Sequence, residues 1–322
     1  MVSLLVSFLT FFVIWMSPRE AGAQKVYRVA ALLAEEQFAP AIEGFKKKMA
    51  ELGYIEGKNI QCEVYNAQLD RKKLQQFAEK MIQDKPDLIV TSSTTATVPV
   101  AKLTRGSDLP VVFLSSGNPL ELVKSYASSG NNLTGISSGS LELTAKRLEL
   151  LRDLAPGVKR VVALNNPKGV NYRENLAAVQ AAAKNNGITI HEVKASSGEE
   201  LRRVMPTITH KTAHAIVLQP DVLFGGFIDI VVEHSLREKL PVIPTLIPQV
   251  HRGALATYGP DYFSLGEQGA MLVHKIFKGA RPSDLPIEYP DKLKLVINLK
   301  SAKAIGLKIP REILLRADEV IE

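Results

Sequence analysis

The chain has 322 residues, of which 46% are hydrophobic, and this length suffices for one large domain or two domains of ordinary size. Its formal net charge is +7, but the basic residues are widely spread apart from Lys46-Lys47-Lys48, which we assign to a solvated helix face, so the charge does not indicate a nucleic-acid partner. The single cysteine, Cys62, excludes an internal disulfide, so the hydrophobic core must stabilise the fold.

The first 23 residues have the pattern of a secretory signal peptide. Residues 1–16 are almost wholly apolar, and the small residues Ala21-Gly22-Ala23 follow, which predicts cleavage after Ala23. The apolar run is shorter than the roughly 20 residues that span a bilayer. One feature departs from the pattern, because no Lys or Arg precedes the apolar run. We expect a protein that is exported to the periplasm, where ATP and NAD(P)H are not freely supplied.

From Lys25 onward, short β-rich runs alternate with longer helical patterns, which predicts parallel βαβ units. In the first unit a strand at 26–33 precedes a helix that begins at Pro40 and ends at Gly53. The other elements predicted for this first lobe are strand 60–65, a helix from Asp70 through Met81, strand 87–91, helix 94–104, strand 110–114 and a short helix from Pro119.

A turn-rich segment at 128–132 interrupts this rhythm, which then begins again and predicts a second lobe. Its predicted elements are helix 141–154, strand 159–164, helix 171–186, strand 188–193, helix 199–210, strand 214–218, helix 224–239 and strand 241–245. The remainder predicts strand 254–258, helix 262–278, a proline-rich crossing at 280–290, strand 294–299 and two short terminal helices. The sequence therefore predicts an α/β fold with two Rossmann-like lobes, each a parallel sheet flanked by helices.

Motifs of catalysis, metal binding and cofactor binding are weak in this chain. Gly135-Ile-Ser-Ser-Gly139 matches the nucleophile elbow of α/β-hydrolases, but no hydrophobic strand precedes it, so we interpret it as a glycine-rich connection between lobes. His210 and His214 are four residues apart without an HExxH motif, and the phosphate-binding glycine motifs are missing. The sequence predicts no catalytic residue, no metal site and no cofactor.

Polar residues recur where predicted parallel strands end, which is where ligands bind in open α/β sheets. In the first lobe these residues are Ser93, Thr94, Thr95, Ser116 and Asn118, and in the second lobe they are Asn165, Asp221 and Thr245. Each alone is typical of a helix cap. Their recurrence in both lobes predicts two facing rims that form a cleft for a small solute.

Several segments in fixed order carry a family resemblance over nearly all of the mature chain. They are 51–60 (ELGYIEGKNI), 110–113 (PVVF), 130–135 (GNNLTG), 146–151 (KRLELL), 258–261 (YGPD), 295–307 (LVINLKSAKAIGL) and 316–320 (RADEV). With these segments the chain resembles the tryptophan/tyrosine-type substrate-binding proteins of ABC transporters, which have the type I periplasmic-binding-protein fold.

The resemblance implies two lobes joined by a three-stranded hinge. The first would comprise 25–134 with about 259–288, and the second 135–258 with about 289–322. It also implies that the lobes close on a small solute, such as an amino acid or an aromatic or carboxylate-containing compound, and deliver it to a membrane permease driven by a cytoplasmic ATPase. Tyr258 would contribute from the hinge. Many relatives have Gly-Asp-Pro where this chain has Gly117-Asn118-Pro119. Because Asn118 lacks the carboxylate, the resemblance does not imply an ammonium contact at that position. We expect a monomer.

Two alternatives come from other functional classes. A secreted serine hydrolase would use Ser137, and an extracellular ligand-sensing module would use the same fold. The second is disfavoured, because the sequence shows neither a DNA-binding headpiece before Lys25 nor a membrane span after the second lobe.

Overall fold

The computed structural model describes residues 25–322, so the predicted signal peptide lies outside the described residues. Within this described part, no helix combines the length and the apolar character needed to cross a membrane.

The first lobe is built on a five-stranded parallel sheet with the strand order β2-β1-β3-β4-β5. Its strands are β1 (Tyr27–Leu33), β2 (Ile60–Asn66), β3 (Leu88–Ser92), β4 (Val111–Ser116) and β5 (Leu133–Ser137). The helices of this region are α1 (Ala39–Glu51), α2 (Arg71–Gln83) and α3 (Thr94–Leu103). Asp70 caps α2 by accepting hydrogen bonds from two backbone N–H groups, as its position before the helix predicts.

The fifth strand occupies the segment that the sequence suggested as a connection. Gly135 has φ +156°, and a Cβ atom built on it would lie 2.1 Å from the carbonyl oxygen of Phe113 in β4. A glycine is therefore needed for β5 to approach β4, whereas glycines in a sequence usually indicate a turn.

The second lobe contains a four-stranded parallel sheet with the order β7-β6-β8-β9. Its strands are β6 (Arg160–Asn165), β7 (Thr189–Lys194), β8 (Ala215–Leu218) and β9 (Val242–Ile243). Its helices are α4 (Leu143–Leu154), α5 (Tyr172–Asn185), α6 (Gly198–Val204), α7 (Val222–Gly226), α8 (Ile228–Glu238) and α9 (Ile247–His251). The helix predicted at 224–239 is thus divided at Phe227, after two consecutive glycines.

The later part of the chain forms a third sheet. Its strands are β10 (Ala256–Pro260), β11 (Leu293–Asn298) and β12 (Glu319–Ile321), with β11 antiparallel to β10 and parallel to β12. The remaining helices are α10 (Tyr262–Phe277), α11 (Leu299–Ala304) and α12 (Arg311–Leu314). Leucines of α4 share a core with β10 and β11, so this sheet packs on the second lobe.

Helix α10 returns to the first lobe and packs closely along α1. Two glycines permit this approach. A Cβ atom on Gly44 would lie 2.0 Å from the carbonyl oxygen of Phe263, and one on Gly266 would lie 1.9 Å from that of Ala41. Buried side chains of both helices, including Phe45 and Leu265, belong to one core cluster with β1 and β3.

Candidate functional site

A cleft lies where the carboxyl ends of strands from both parallel sheets face each other. Five of the residues predicted to bind a solute line it: Ser93, Thr94, Thr95, Asp221 and Thr245. The carboxyl-end rule thus brings together residues that are up to 152 positions apart in the sequence.

The other four predicted residues do not line this cleft. Ser116 lies directly behind it, with its hydroxyl oxygen 3.2 Å from that of Thr94. The amide of Asn118 donates to Glu121, and the buried amide of Asn165 donates to Glu192. Tyr258 lies in a separate groove with Lys146 and Arg316.

Several lining residues were not singled out by the sequence analysis. Those with polar or aromatic side chains are Phe38, Ser115, Ser138, Ser140, Asn171 and Tyr262. Phe38 could have been found, because it lies in the turn after β1 and the same carboxyl-end rule applies to it. Tyr262 could not have been found in this way, since it follows an antiparallel strand and reaches the cleft only because α10 returns to the first lobe.

At the first-lobe end, the cleft is lined by hydroxyl groups and by the N-terminus of α3. Ser93 caps this helix, with its hydroxyl oxygen accepting a hydrogen bond from the N–H of Ala96 at 3.2 Å. The hydroxyl oxygen of Thr94 accepts a hydrogen bond from the N–H of Gly117 at 2.8 Å. The first N–H groups of a helix have no partner within it and carry a partial positive charge. This end of the cleft therefore suits a carboxylate or another anion.

Ser93 adopts a backbone conformation that is rare for any residue except glycine. Its φ is +87° and its ψ is 150°. Its N–H donates to Ser115, which fixes the loop against the end of β4. Strained conformations of this kind concentrate at ligand sites, where the surrounding structure enforces them.

At the second-lobe end, the cleft presents the carboxylate of Asp221. One oxygen accepts hydrogen bonds from the N–H of Leu223 at 2.9 Å and from the amide of Asn166 at 3.1 Å. Burial raises the pKa of this carboxyl, although both hydrogen bonds and the charge of Arg71 lower it. Asp221 forms no ion pair within residues 25–322. A half-buried carboxylate without a cationic partner suits an ammonium group of a ligand.

Ser137 has the surroundings of a structural residue. It is completely buried at the end of β5, and its hydroxyl contacts the carbonyl of Ser116 and the N–H of Gly139. No histidine hydrogen-bonds to it in the described part of the chain, so the base that a nucleophilic serine requires is missing there. Residues 25–322 also contain no cluster of His, Cys, Asp and Glu that could hold a metal ion.

Comparison with known proteins places these features in context. A family model described as ABC transporter substrate binding protein matches residues 27–321. A tyrosine-binding protein of Clostridioides difficile is 29% identical over 291 residues, which cover 90% of this chain and 83% of that protein.

Two solved structures show the relation at the level of coordinates. One is an ABC domain from Streptococcus pneumoniae in complex with L-Trp, which is 26% identical and has a TM-score of 0.86. The alignment covers 92% of this chain and 100% of that one. The other is the ligand-free, open structure of a substrate binding protein with adhesive properties from Clostridium difficile, which is 28% identical and has a TM-score of 0.70 over 92% of this chain and 99% of that one. Sequence identity is nearly equal in the two comparisons, yet the structure is closer to the ligand-bound relative. Solved relatives have the type I periplasmic-binding-protein fold, which confirms the predicted fold class.

Proposed function

Because the chain belongs to the ABC transporter substrate binding protein family, we propose that it captures an amino acid with a large apolar or aromatic side chain in the cleft. The observation that carries this proposal is the opposite character of the two ends of the cleft. Hydroxyls and the N-terminus of α3 suit a carboxylate at one end, and the unpaired Asp221 suits an ammonium group at the other.

Apolar side chains between these ends support a large side chain on the solute. The rings of Phe38 and Tyr262 lie 5.5 Å apart, centroid to centroid, and Val170, Val222 and Leu246 extend the apolar surface. The names of the relatives, a tyrosine-binding protein and a complex with L-Trp, favour an aromatic amino acid among these solutes. Stacking against Phe38 or Tyr262 would add to the affinity for such a ring.

The proposed transport role depends on closure of the two lobes around the solute. We assign 25–134 with about 259–288 to the first lobe and 135–258 with about 289–322 to the second. Contacts between them include the guanidinium of Arg71, which donates to the carbonyl of Lys168 at 2.7 Å. A solute that contacts both lobes only in the closed form shifts the population toward that form, which the permease would recognise.

Substrate binding proteins of this family work outside the cytoplasm. We propose that residues 1–23 direct export and are removed, and that the mature protein acts in the periplasm as a monomer without a cofactor. Its partners would be the solute and the permease of an ABC importer with its cytoplasmic ATPase.

The experiment that tests this proposal removes the charge of Asp221 and keeps its shape. In Asp221→Asn the side-chain oxygen still caps α7, so the melting temperature of the ligand-free protein should not fall. Binding of L-tyrosine and L-tryptophan, measured by titration calorimetry, should weaken by about 30-fold or more, because an ammonium group loses its anionic partner in the cleft.

The matched control is Asp229→Asn in α8, whose carboxylate is exposed and pairs with Arg252. This variant should bind like the wild type. Failure of the wild-type protein to bind either amino acid, or unchanged binding by Asp221→Asn, would contradict the proposal.

A further inference from the structure

A buried cation without a carboxylate partner lies beside the cleft. Arg147 of α4 is only 4% exposed. Its guanidinium donates to three backbone carbonyls, those of Ser140 at 3.2 Å, Thr245 at 3.1 Å and Tyr258 at 3.1 Å. Within residues 25–322 it forms no ion pair. Burial lowers the pKa of Arg147 to about 10, so the group remains charged at neutral pH.

This arrangement is unusual, because buried arginines are normally paired with a carboxylate. Carbonyl dipoles replace part of the lost hydration but leave the positive charge uncompensated. The protein therefore maintains a permanent positive charge in a region of low dielectric constant, where salt screens it little.

The charge lies one residue behind the wall of the cleft. Two of its three acceptors, Ser140 and Thr245, belong to residues that line the cleft. A Cβ atom on Gly117 would be 3.8 Å from the Cβ of Ser140 and 3.7 Å from the hydroxyl of Thr94, so both residues lie next to Gly117 in the loop after β4. Tyr262, another lining residue, also senses this charge, since Arg147 lowers its pKa while burial raises it to about 12.

We propose that Arg147 is a positioning residue whose charge, acting through the cleft wall formed by Ser140 and Thr245, selects a solute with an anionic group and directs that group toward Thr94. Together with Asp221 at the opposite end, it fixes the orientation of a zwitterion. This inference rests on the proposed function and adds a residue that need not touch the solute.

The test compares ligands that differ only in the charge of one group. Binding of L-tryptophan and of L-tryptophanamide is measured by calorimetry for the wild type, Arg147→Met and Arg147→Lys. The wild type should prefer the acid. Arg147→Met should lose about tenfold in affinity for the acid, equivalent to 1.4 kcal/mol, and less than about threefold for the amide. Arg147→Lys retains the charge and should retain most of the preference.

The control is Arg152→Met, because Arg152 lies on the same helix but is exposed and should not affect the preference. Melting temperatures report whether each variant is folded, and Arg147→Gln replaces the methionine variant if that one does not fold. Equal losses for the acid and the amide would overturn the inference and leave the proposed function intact. Absence of binding of both ligands to the wild type would overturn the proposed function, and the inference with it.

Discussion

At the scale of the single residue, the environment of Asp221 in the cleft determines the pKa of its carboxyl group, and this pKa affects ligand binding. Burial raises the pKa of this carboxyl above the ordinary aspartate value of 3.8. A ligand ammonium group favours the ionised form, so binding must release the proton wherever the ligand-free protein holds it.

Affinity for an amino acid should therefore fall as the pH decreases through the raised pKa of Asp221. The stability of the ligand-free protein has the opposite trend between the unfolded pKa of this carboxyl and its raised folded pKa. In that range the folded state holds a proton that the unfolded state has released, so the free energy of unfolding falls as the pH rises. Calorimetry and thermal unfolding from neutral to mildly acidic pH measure both effects. Asp221→Asn should abolish the pH dependence of affinity and reduce that of stability, part of which remains because burial also raises the pKa of Glu35 and Glu121. An unchanged pH dependence of affinity in this variant would assign the effect to another group.

The strained backbone of Ser93 gives a second prediction at this scale. Ser93→Gly relieves the strain, which costs of order 1–3 kcal/mol, and loses only a few tenths of a kcal/mol in capping. Ser93→Ala keeps the strain and loses the cap, at a cost of about 1 kcal/mol. Urea unfolding should therefore rank glycine above alanine, with glycine at least as stable as the wild type.

The control for Ser93 is Ser197, which caps α6 with φ −153° and is not strained. Ser197→Gly should not stabilise the protein. Stabilisation by glycine at both positions would show that the gain at Ser93 does not come from relief of backbone strain.

The sequence could predict cleft residues only as precisely as it placed the strand ends. Asn165 was proposed because it follows a hydrophobic run, but it is the last residue of β6, where side chains alternate between the faces of the sheet. Its neighbour Asn166 is the residue that hydrogen-bonds to Asp221. An error of one residue in the predicted end of a strand therefore selects a side chain on the wrong face of the sheet.

At the scale of the element, the contact between α1 and α10 depends on the absence of side chains. In Gly266→Ala the new methyl group would collide with the backbone of Ala41, and backbone cannot move aside as a flexible side chain can. The free energy of unfolding should fall by about 1–3 kcal/mol, as in other overpacked cores. Urea denaturation measures this loss.

Gly157→Ala serves as the control, because a Cβ atom at Gly157 has no neighbour within 4 Å and φ there is not in the left-handed region. It should change stability by less than about 0.5 kcal/mol. Similar effects at the two positions would contradict the packing argument.

The elements themselves could largely be predicted, because hydrophobic periodicity and caps specify them locally. The fifth strand of the first sheet was missed since Gly135 has the local signature of a turn, although it is required by contact with Phe113. Strand β12 was missed because its three residues, Glu319–Ile321, are too few to show an alternating pattern.

At the scale of the whole molecule, both apolar and polar contacts join the two lobes: Leu246 lies in the core cluster of the first lobe, and Val222 packs against that cluster. Besides the Arg71–Lys168 hydrogen bond, the amide of Gln249 donates to that of Gln37 at 3.3 Å. The sequence could predict two lobes and a cleft, but their relative orientation depends on contacts between residues far apart in the chain, which local patterns do not show.

Loss of an interlobe contact should favour the open form without unfolding either lobe. Arg71→Met removes the donor to Lys168 and should increase the radius of gyration of the ligand-free protein in small-angle scattering, while the melting temperature stays nearly constant. Affinity for the solute should fall about threefold to tenfold, because closure becomes less favourable. Arg173→Met, on the exposed surface of α5, is the control, and equal scattering of all three proteins would contradict this role.

The return of α10 to α1 also has a consequence for the order in which the protein folds. Lys47 pairs with Glu267, and Tyr54 hydrogen-bonds to His274, each across 220 residues of sequence. Contacts that span so much chain form late, because a long loop must close before they stabilise anything. The core of the first lobe therefore stays incomplete until nearly the whole polypeptide is available. Under the export that we propose, this delay would keep the leading half of the chain free of premature stable structure until it has crossed the membrane.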